Sequence, residues 1–233
     1  IRLPIVGLTF QTSDFAKLAL VVYISKLMVN KEKVLNSWKE GFWPIVIPII
    51  IICALIAKDN FSTAVIVFMV SLLLLFVGRV PVEKILTFIG SGIAALTLVV
   101  LTHLAIPAAN LLPRFDTWMS RFFKAYGENA DSIDNAQAIN AELAIHNGGY
   151  FGVGVGSGKL KQYLPEAYAD FYYSSFVEEF GLLFAVILIF LYLILFYRIL
   201  RIGLNAEKLF ETYVCVGIGL LILSQAMINM MVC

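Results

Sequence analysis

The chain has 233 residues, 61% of them hydrophobic and 14% charged, with a mean hydropathy of +0.89. Soluble domains carry about a quarter charged residues, so this composition describes an integral membrane protein. Its 17 basic and 16 acidic residues are scattered between apolar runs rather than gathered in one patch, which excludes a nucleic-acid-binding surface. The three cysteines have no metal-ligand spacing, and Cys53 and Cys215 read as buried thiols inside apolar runs, with Cys233 at the end of the sequence. The sequence opens on IRLPIVG without an initiator Met or signal peptide and closes on NMMVC within an apolar run. It is therefore expected to be the middle of a longer protein.

Runs able to cross a ~30 Å hydrocarbon core as helices of ~20 residues occupy about Phe15 to Met28, Trp43 to Ala57, Phe61 to Gly78, Ile85 to Pro107, Phe171 to Tyr197 and Leu209 to Cys233. The second is short. A helix satisfies its own backbone in lipid, so these runs predict an all-α polytopic membrane protein with about six transmembrane helices in one integral membrane domain, residues 1–233. Lys26, Lys31, Lys33 and Lys39 follow the first run, Arg79 and Lys84 the third, and Arg198, Arg201 and Lys208 the fifth. The positive-inside rule makes those connections cytoplasmic. Alternation then places the Lys58–Asp59–Asn60 turn, the entry TFQTSDFAK and the long segment 108–170 on the outer, extracytoplasmic side.

Within that segment Phe115, Trp118, Met119, Phe122, Phe123 and Tyr126 share one helical face, with Arg114, Ser120, Arg121 and Lys124 opposite. The pattern suits an amphipathic helix at the membrane interface and equally a helix packed on the rest of the protein. The polar stretch DSIDNAQAINAELAIHNGGY predicts a short re-entrant or surface helix ending at Gly148–Gly149.

Next comes a glycine ladder, Gly152, Gly154, Gly156 and Gly158, in GGYFGVGVGSGKLKQYLPEAYADF. It is not a P-loop, because Val153 stands at the leading glycine position and Leu160 follows Gly158–Lys159 where Ser or Thr is required. It is not a dinucleotide fingerprint either, since Ser157 takes the third glycine's place. A tightly turning backbone whose amides face a substrate and a flexible linker both fit what remains. Further on, Asp170, Ser174 and Glu178 fall on one helical face, with Ser175 and Glu179 beside it. Carboxylates at this depth cost about 3 kcal/mol by insertion scales and normally face a polar cavity. Asp14 and Lys17 open the first span at i, i+3 spacing, which fits an intramembrane ion pair as well as a binding site. His103 and His146 have no partner spacing for a metal site, and no Ser or Cys sits in a nucleophile elbow.

These pieces resemble the SEDS family (shape, elongation, division and sporulation). GGYFGVGVGSGKLKQYLPEAYADF is similar to that family's glycine ladder, lysine and LPEAHTDF; VEEFGLL to GEELGLxG; FQTSDFAKLAL to FQPSEIAKLAL; and DNFSTA stands at PDLGTA. Their order matches as well, and YLPEA with SQAMIN resembles the division branch more than the elongation branch. The resemblance implies a fold of about ten membrane helices, of which this chain would carry about six. It also implies a glycosyltransferase of the bacterial plasma (inner) membrane that polymerises lipid II on the outward face during cell division. Its implied partners are a class B penicillin-binding protein, divisome proteins and membrane lipid.

Transferred residue by residue, the resemblance makes Asp170 the catalytic carboxylate, the general base on the acceptor hydroxyl. It makes Gln11, Asp14, Lys17 and Glu166 substrate-binding. Lys17, with Arg2 or Lys161, would neutralise the pyrophosphate leaving group, and the backbone at Gly154 and Gly156 would bind phosphate or sugar. A divalent cation near Asp170 and Glu166 is compatible with the sequence and not demanded by it. Tyr168 replaces the family's histidine, Ala169 its threonine, Asp14 its glutamate and Asn60 the aspartate of PDLGTA, so the activity either tolerates these changes or is altered by them. A lipid II flippase would use the same polar groove, and a non-catalytic scaffold would keep the fold without the reaction.

Overall fold

The computed structural model describes residues 12–105, 133–158 and 171–232, and every regular element among them is helical. Helix α1 spans Thr12–Asn30 and is followed by a 3-10 turn, Glu32–Val34. A π turn, Trp38–Phe42, runs directly into α2, Trp43–Asp59. Then come α3 (Phe61–Val77), α4 (Val82–Ala105), α5 (Ile133–Gly148), α6 (Tyr172–Leu204) and α7 (Leu209–Val232). The described part of each of the six apolar runs is helical, with one break at Gly181, and α5 ends at the glycine pair as its composition predicts. The aromatic helix expected over residues 115–126 lies outside the described residues.

Among the described residues, Trp38–Ala57, Tyr172–Leu204 and Leu209–Met231 are long and apolar enough to cross a membrane. The second span is thus not short, because the π turn extends α2 backwards to Trp38. The apolar helix Phe61–Val77 has 17 residues, or ~25 Å at 1.5 Å per residue. The chain is a multi-pass, all-α membrane protein. It divides into two compact units, Ile1–Ile85 with Phe190–Met227 and Leu86–Ile189 with Ile228–Cys233.

In the first unit α1 buries Lys17, Leu20, Val21, Ile24, Ser25 and Met28, the i, i+3, i+4, i+7, i+8, i+11 stripe of one helical face. Phe15, Leu18 and Val22 stay exposed on the other side, as a lipid-facing surface requires. The stripe meets α2, which buries Ile45, Val46 and Ile49, and α3, which buries Val67, Val70, Leu74 and Leu75. Helix α7 joins them at Gly217, where an added Cβ would overlap Val21 and sit 3.4 Å from Leu74. Ser25 and Ser71 donate to the Val21 and Val67 carbonyls four residues back, so neither hydroxyl is stranded in the core.

The lysines arrange one end of this unit. Lys84 is buried; its ammonium donates to the Leu35 carbonyl at 3.1 Å and lies 5.3 Å from the Trp38 ring centre. It thereby ties the start of α4 to the α1–α2 connection by a charge-assisted hydrogen bond and a cation–π contact. Lys26 lies 5.6 Å over the Phe210 ring, which brings the C-terminal half of α1 to the first turn of α7. The α1–α2, α3–α4 and α6–α7 connections therefore share one end, as the distribution of basic residues predicts. At the other turn, the Asn60 side chain accepts from the Thr63 amide at 3.1 Å and caps α3. Asparagine caps as well as aspartate does, so the departure at Asn60 keeps the local structure.

A sidedness experiment follows. With Cys53, Cys215 and Cys233 replaced, single cysteines at the exposed positions Lys33, Arg79 and Lys208 should react with an impermeant maleimide from one side of the membrane. A cysteine at Asn60 should react only from the other. Mixed sidedness among the first three would contradict the arrangement.

Candidate functional site

Helix α6 is not continuous. Gly181 has φ 84° and ψ 170°, a conformation open essentially to glycine alone. A broken helix strands carbonyls before the break and amides after it, each costing on the order of several kcal/mol where water is absent. The glycine loop supplies the partners. The Leu182 and Leu183 amides donate to the Gly149 and Tyr150 carbonyls at 2.9 and 3.3 Å, and the Val153 and Gly154 amides donate to the Glu178 and Glu179 carbonyls at 2.9 and 3.1 Å. The loop is thus bonded to both sides of the break.

That seat explains where glycine is obligatory. Gly152 takes φ 78°, and a Cβ there would overlap the Glu179 carbonyl; a Cβ on Gly181 would overlap the Gly152 amide. Gly154 and Gly156 also have positive φ, 103° and 78°, with no close obstruction. The Gly154 amide serves the helix, whereas a Cβ on Gly156 would meet nothing within 4 Å. Residues 182–197 of α6 lie between Gly181 and Arg198, ~24 Å of apolar helix out of a ~30 Å hydrocarbon core. The break therefore lies near one membrane edge and not at the midplane.

A buried carboxylate occupies the same place. Glu178 and Ser174 are both fully buried, so the face deduced from their spacing points inward. Asn147, in the last turn of α5, donates its amide to Glu178 Oε1 at 3.2 Å. Among the described side chains of α5, the buried residues are small, Ala141, Ala144 and Gly148, which brings the helix close. A Cβ at Gly148 would overlap the Val177 carbonyl, and one at Gly158 would come within 2.8 Å of Glu178 Oε2. Ser174 satisfies its own hydroxyl on the Phe171 carbonyl at 2.9 Å. Asn147 is absent from the residues that the sequence nominates, its only signal being an amide side chain just before a glycine pair. Glu178 was visible as a carboxylate in an apolar run, but its partner was not.

In the first unit, Lys17 and Asp14 form the pair their spacing implies, Nζ to Oδ1 2.8 Å. Lys17 is 6% exposed and belongs to the inward stripe of α1, while the Asp14 side chain is 52% exposed. With one partner in solvent the pair contributes at most about 1 kcal/mol, too little to offset burial of the amine, so stability alone does not account for a lysine here. His146 is exposed in the last turn of α5, a solvated histidine. Asp170, Glu166, Lys161, Arg2, Gln11 and Tyr168 lie outside the described residues.

The loop's glycines separate two kinds of strain. Gly152→Ala meets both a positive φ and a backbone overlap and should destabilise by about 2–4 kcal/mol. Gly149→Ala, with φ 50° and open space around it, should cost about 1 kcal/mol. Thermal unfolding in nanodiscs checks the order; equal effects would contradict the seating of the loop.

A family profile described as "Cell cycle protein", built on FtsW, RodA and SpoVE, matches residues 1–233. The probable peptidoglycan glycosyltransferase FtsW of Geobacter sp. (strain M18) is 32% identical over 234 residues, 100% of this chain and 60% of that protein. Its counterpart in Saccharophagus degradans is 31% identical over 227 residues, covering 95% and 56%, and that of Alcanivorax borkumensis 32% over 237 residues, covering 99% and 58%. The chain thus spans somewhat more than half the length of these curated relatives. Its order of apolar helices, the acid–lysine pair opening the first of them and the glycine loop before α6 all fall within the matched region, and the chain belongs to the FtsW, RodA and SpoVE family of cell cycle proteins.

Proposed function

We propose that the protein is a peptidoglycan glycosyltransferase that polymerises lipid II at the outer face of the bacterial plasma membrane during cell division. The observation that carries this reading is the loop-filled break in α6 near one membrane edge. A lipid-linked sugar presents its reactive carbon at that depth while its tail remains in the bilayer. Alternating-access transport is built around the midplane, so the edge position favours transfer over translocation. The names of the relatives support the same activity.

The reaction forms one bond and breaks one. Asp170 accepts the proton of the acceptor 4-hydroxyl as its oxygen attacks the anomeric carbon of the donor. The bond from that carbon to the pyrophosphate oxygen breaks with its electron pair, and undecaprenyl pyrophosphate departs. A single displacement inverts the α-linked donor to a β-1,4 product. Lys17, with Arg2 or Lys161, stabilises the charge developing on the leaving group. Its place on the inward stripe of α1, close to that helix's outer end, suits this role. Gln11, Asp14, Glu166 and the loop at Gly154 and Gly156 contact the substrate, with the Gly154 amide itself committed to the Glu179 carbonyl. Glu166 and Asp170 together offer carboxylates to a divalent cation. Segment 108–170 lies outside the cell, and a class B penicillin-binding protein of the divisome cross-links the product.

The test uses the full-length protein with its penicillin-binding partner and purified lipid II. Asp170→Asn should lower polymerisation by about a hundredfold or more while lipid II binding persists. Lys17→Met should lower it by on the order of tenfold or more without lowering the unfolding temperature. Undiminished polymer from Asp170→Asn would remove Asp170 as the base. Movement of labelled lipid by the wild-type protein without polymer would favour translocation.

A further inference from the structure

Glu178 is held at both ends of the glycine loop. At the loop's start Asn147 donates to its Oε1 at 3.2 Å, and Gly148 packs against its backbone with no room for a Cβ. At the loop's far end Gly158 lies against Oε2. Its own carbonyl accepts from Val153 in the middle of the loop. Glu178 is 0% exposed, and the exposed Asn147 reaches it from the loop's edge in a part-buried bond, so the cost of a misplaced carboxylate falls on the buried acceptor.

The break at Gly181 makes such a fastening necessary. The short segment 172–180 is separated from the long membrane-crossing part of α6 by the non-helical Gly181, so helical continuity does not fix its rotational setting, and within α6 the Phe180–Phe184 ring contact spans the break, 6.2 Å between centroids. One residue of slip about the helix axis turns a side chain by about 100°, which would carry Glu178 away from Asn147. Asp170 precedes Tyr172 by two positions, so the rotation of this segment also sets where the chain enters it. The geometry points to Glu178 and Asn147 as positioning residues: their hydrogen bond fixes the register of segment 172–180 against the glycine loop, and with it the placement of Asp170 for proton transfer. The catalytic half of this inference rests on the proposed glycosyltransferase reading; the structural half does not.

The bond needs an acceptor on residue 178 and a donor on residue 147, and either order of amide and carboxylate satisfies it. Four variants of the full-length protein separate this from other roles. Glu178→Gln keeps an acceptor oxygen and should behave like the wild type. Asn147→Ala removes the donor without creating a new charge. Asn147→Asp sets two carboxylates against each other. Asn147→Asp with Glu178→Gln restores the bond with donor and acceptor exchanged.

Two readouts apply to each variant in nanodiscs. The first is chymotrypsin cleavage after Tyr150 or Phe151, identified by mass. Both side chains are exposed, but the backbone is held until the loop opens, so the cleavage rate reports opening. The second is lipid II polymerisation, resolved into kcat and KM. Asn147→Ala and Asn147→Asp should raise cleavage by on the order of tenfold and lower kcat by on the order of tenfold or more, with KM nearly unchanged. The exchanged pair should recover both. Unchanged cleavage in Asn147→Ala and Asn147→Asp would overturn the fastening. Native cleavage in Glu178→Gln combined with lost activity would overturn the positioning role, because the carboxylate's charge would then act directly. If the wild type makes no polymer while cleavage follows the expected pattern, the glycosyltransferase reading fails and the fastening stands.

Discussion

A polypeptide backbone inside the hydrocarbon of a bilayer must have its amides and carbonyls paired within the protein. Gly181 breaks that pairing in the first third of α6, and much of the second unit follows from its repair. A loop has to enter the break, so it must turn tightly and approach other backbone closely, which only glycine permits at 152 and 181. The helix before the loop must come in equally close, and the buried positions described in α5 are alanine and glycine. The short segment 172–180 must be fixed by something other than helical continuity, and a buried carboxylate with an amide partner is found there.

The first unit solves a different problem, the placement of cations in an apolar bundle. Lys84 spends its charge on a carbonyl and an indole ring at the end where three connections meet. Lys17 has only a half-exposed carboxylate one turn away. Lysine is costly in either place, yet only Lys84 closes a structural gap between elements. That contrast assigns Lys84 to architecture, a role that the described contacts of Lys17 do not match.

The helices and their common end were legible because hydropathy and basic residues answer directly to the membrane: the described part of each of the six runs is helical, and Lys26 and Lys84 bring together the connections that carry the positive charge. The glycine ladder was legible as a special backbone but not as a plug. A single non-helical residue inside the run Tyr172–Leu204 leaves no trace in a periodicity of apolar side chains, and the loop's partners are backbone groups, which have no sequence signature. Asn147 was missed for a related reason, since a donor is identified only by the acceptor facing it. Glu178, by contrast, announced itself through its cost. Where the sequence departs from its family the structure accounts for Asn60, which caps α3 through its side-chain oxygen.

The account depends on the loop being seated in the break of α6. The most direct measurement is amide hydrogen exchange of the wild-type protein in nanodiscs, resolved to Val153, Gly154, Leu182 and Leu183. If each pair bonds across the break, all four amides are protected and open together with a single free energy, while Gly156 exchanges freely. Protection at Leu182 and Leu183 with free exchange at Val153 and Gly154 would mean that the helix is repaired in some other way, and the loop would lose its place in the site.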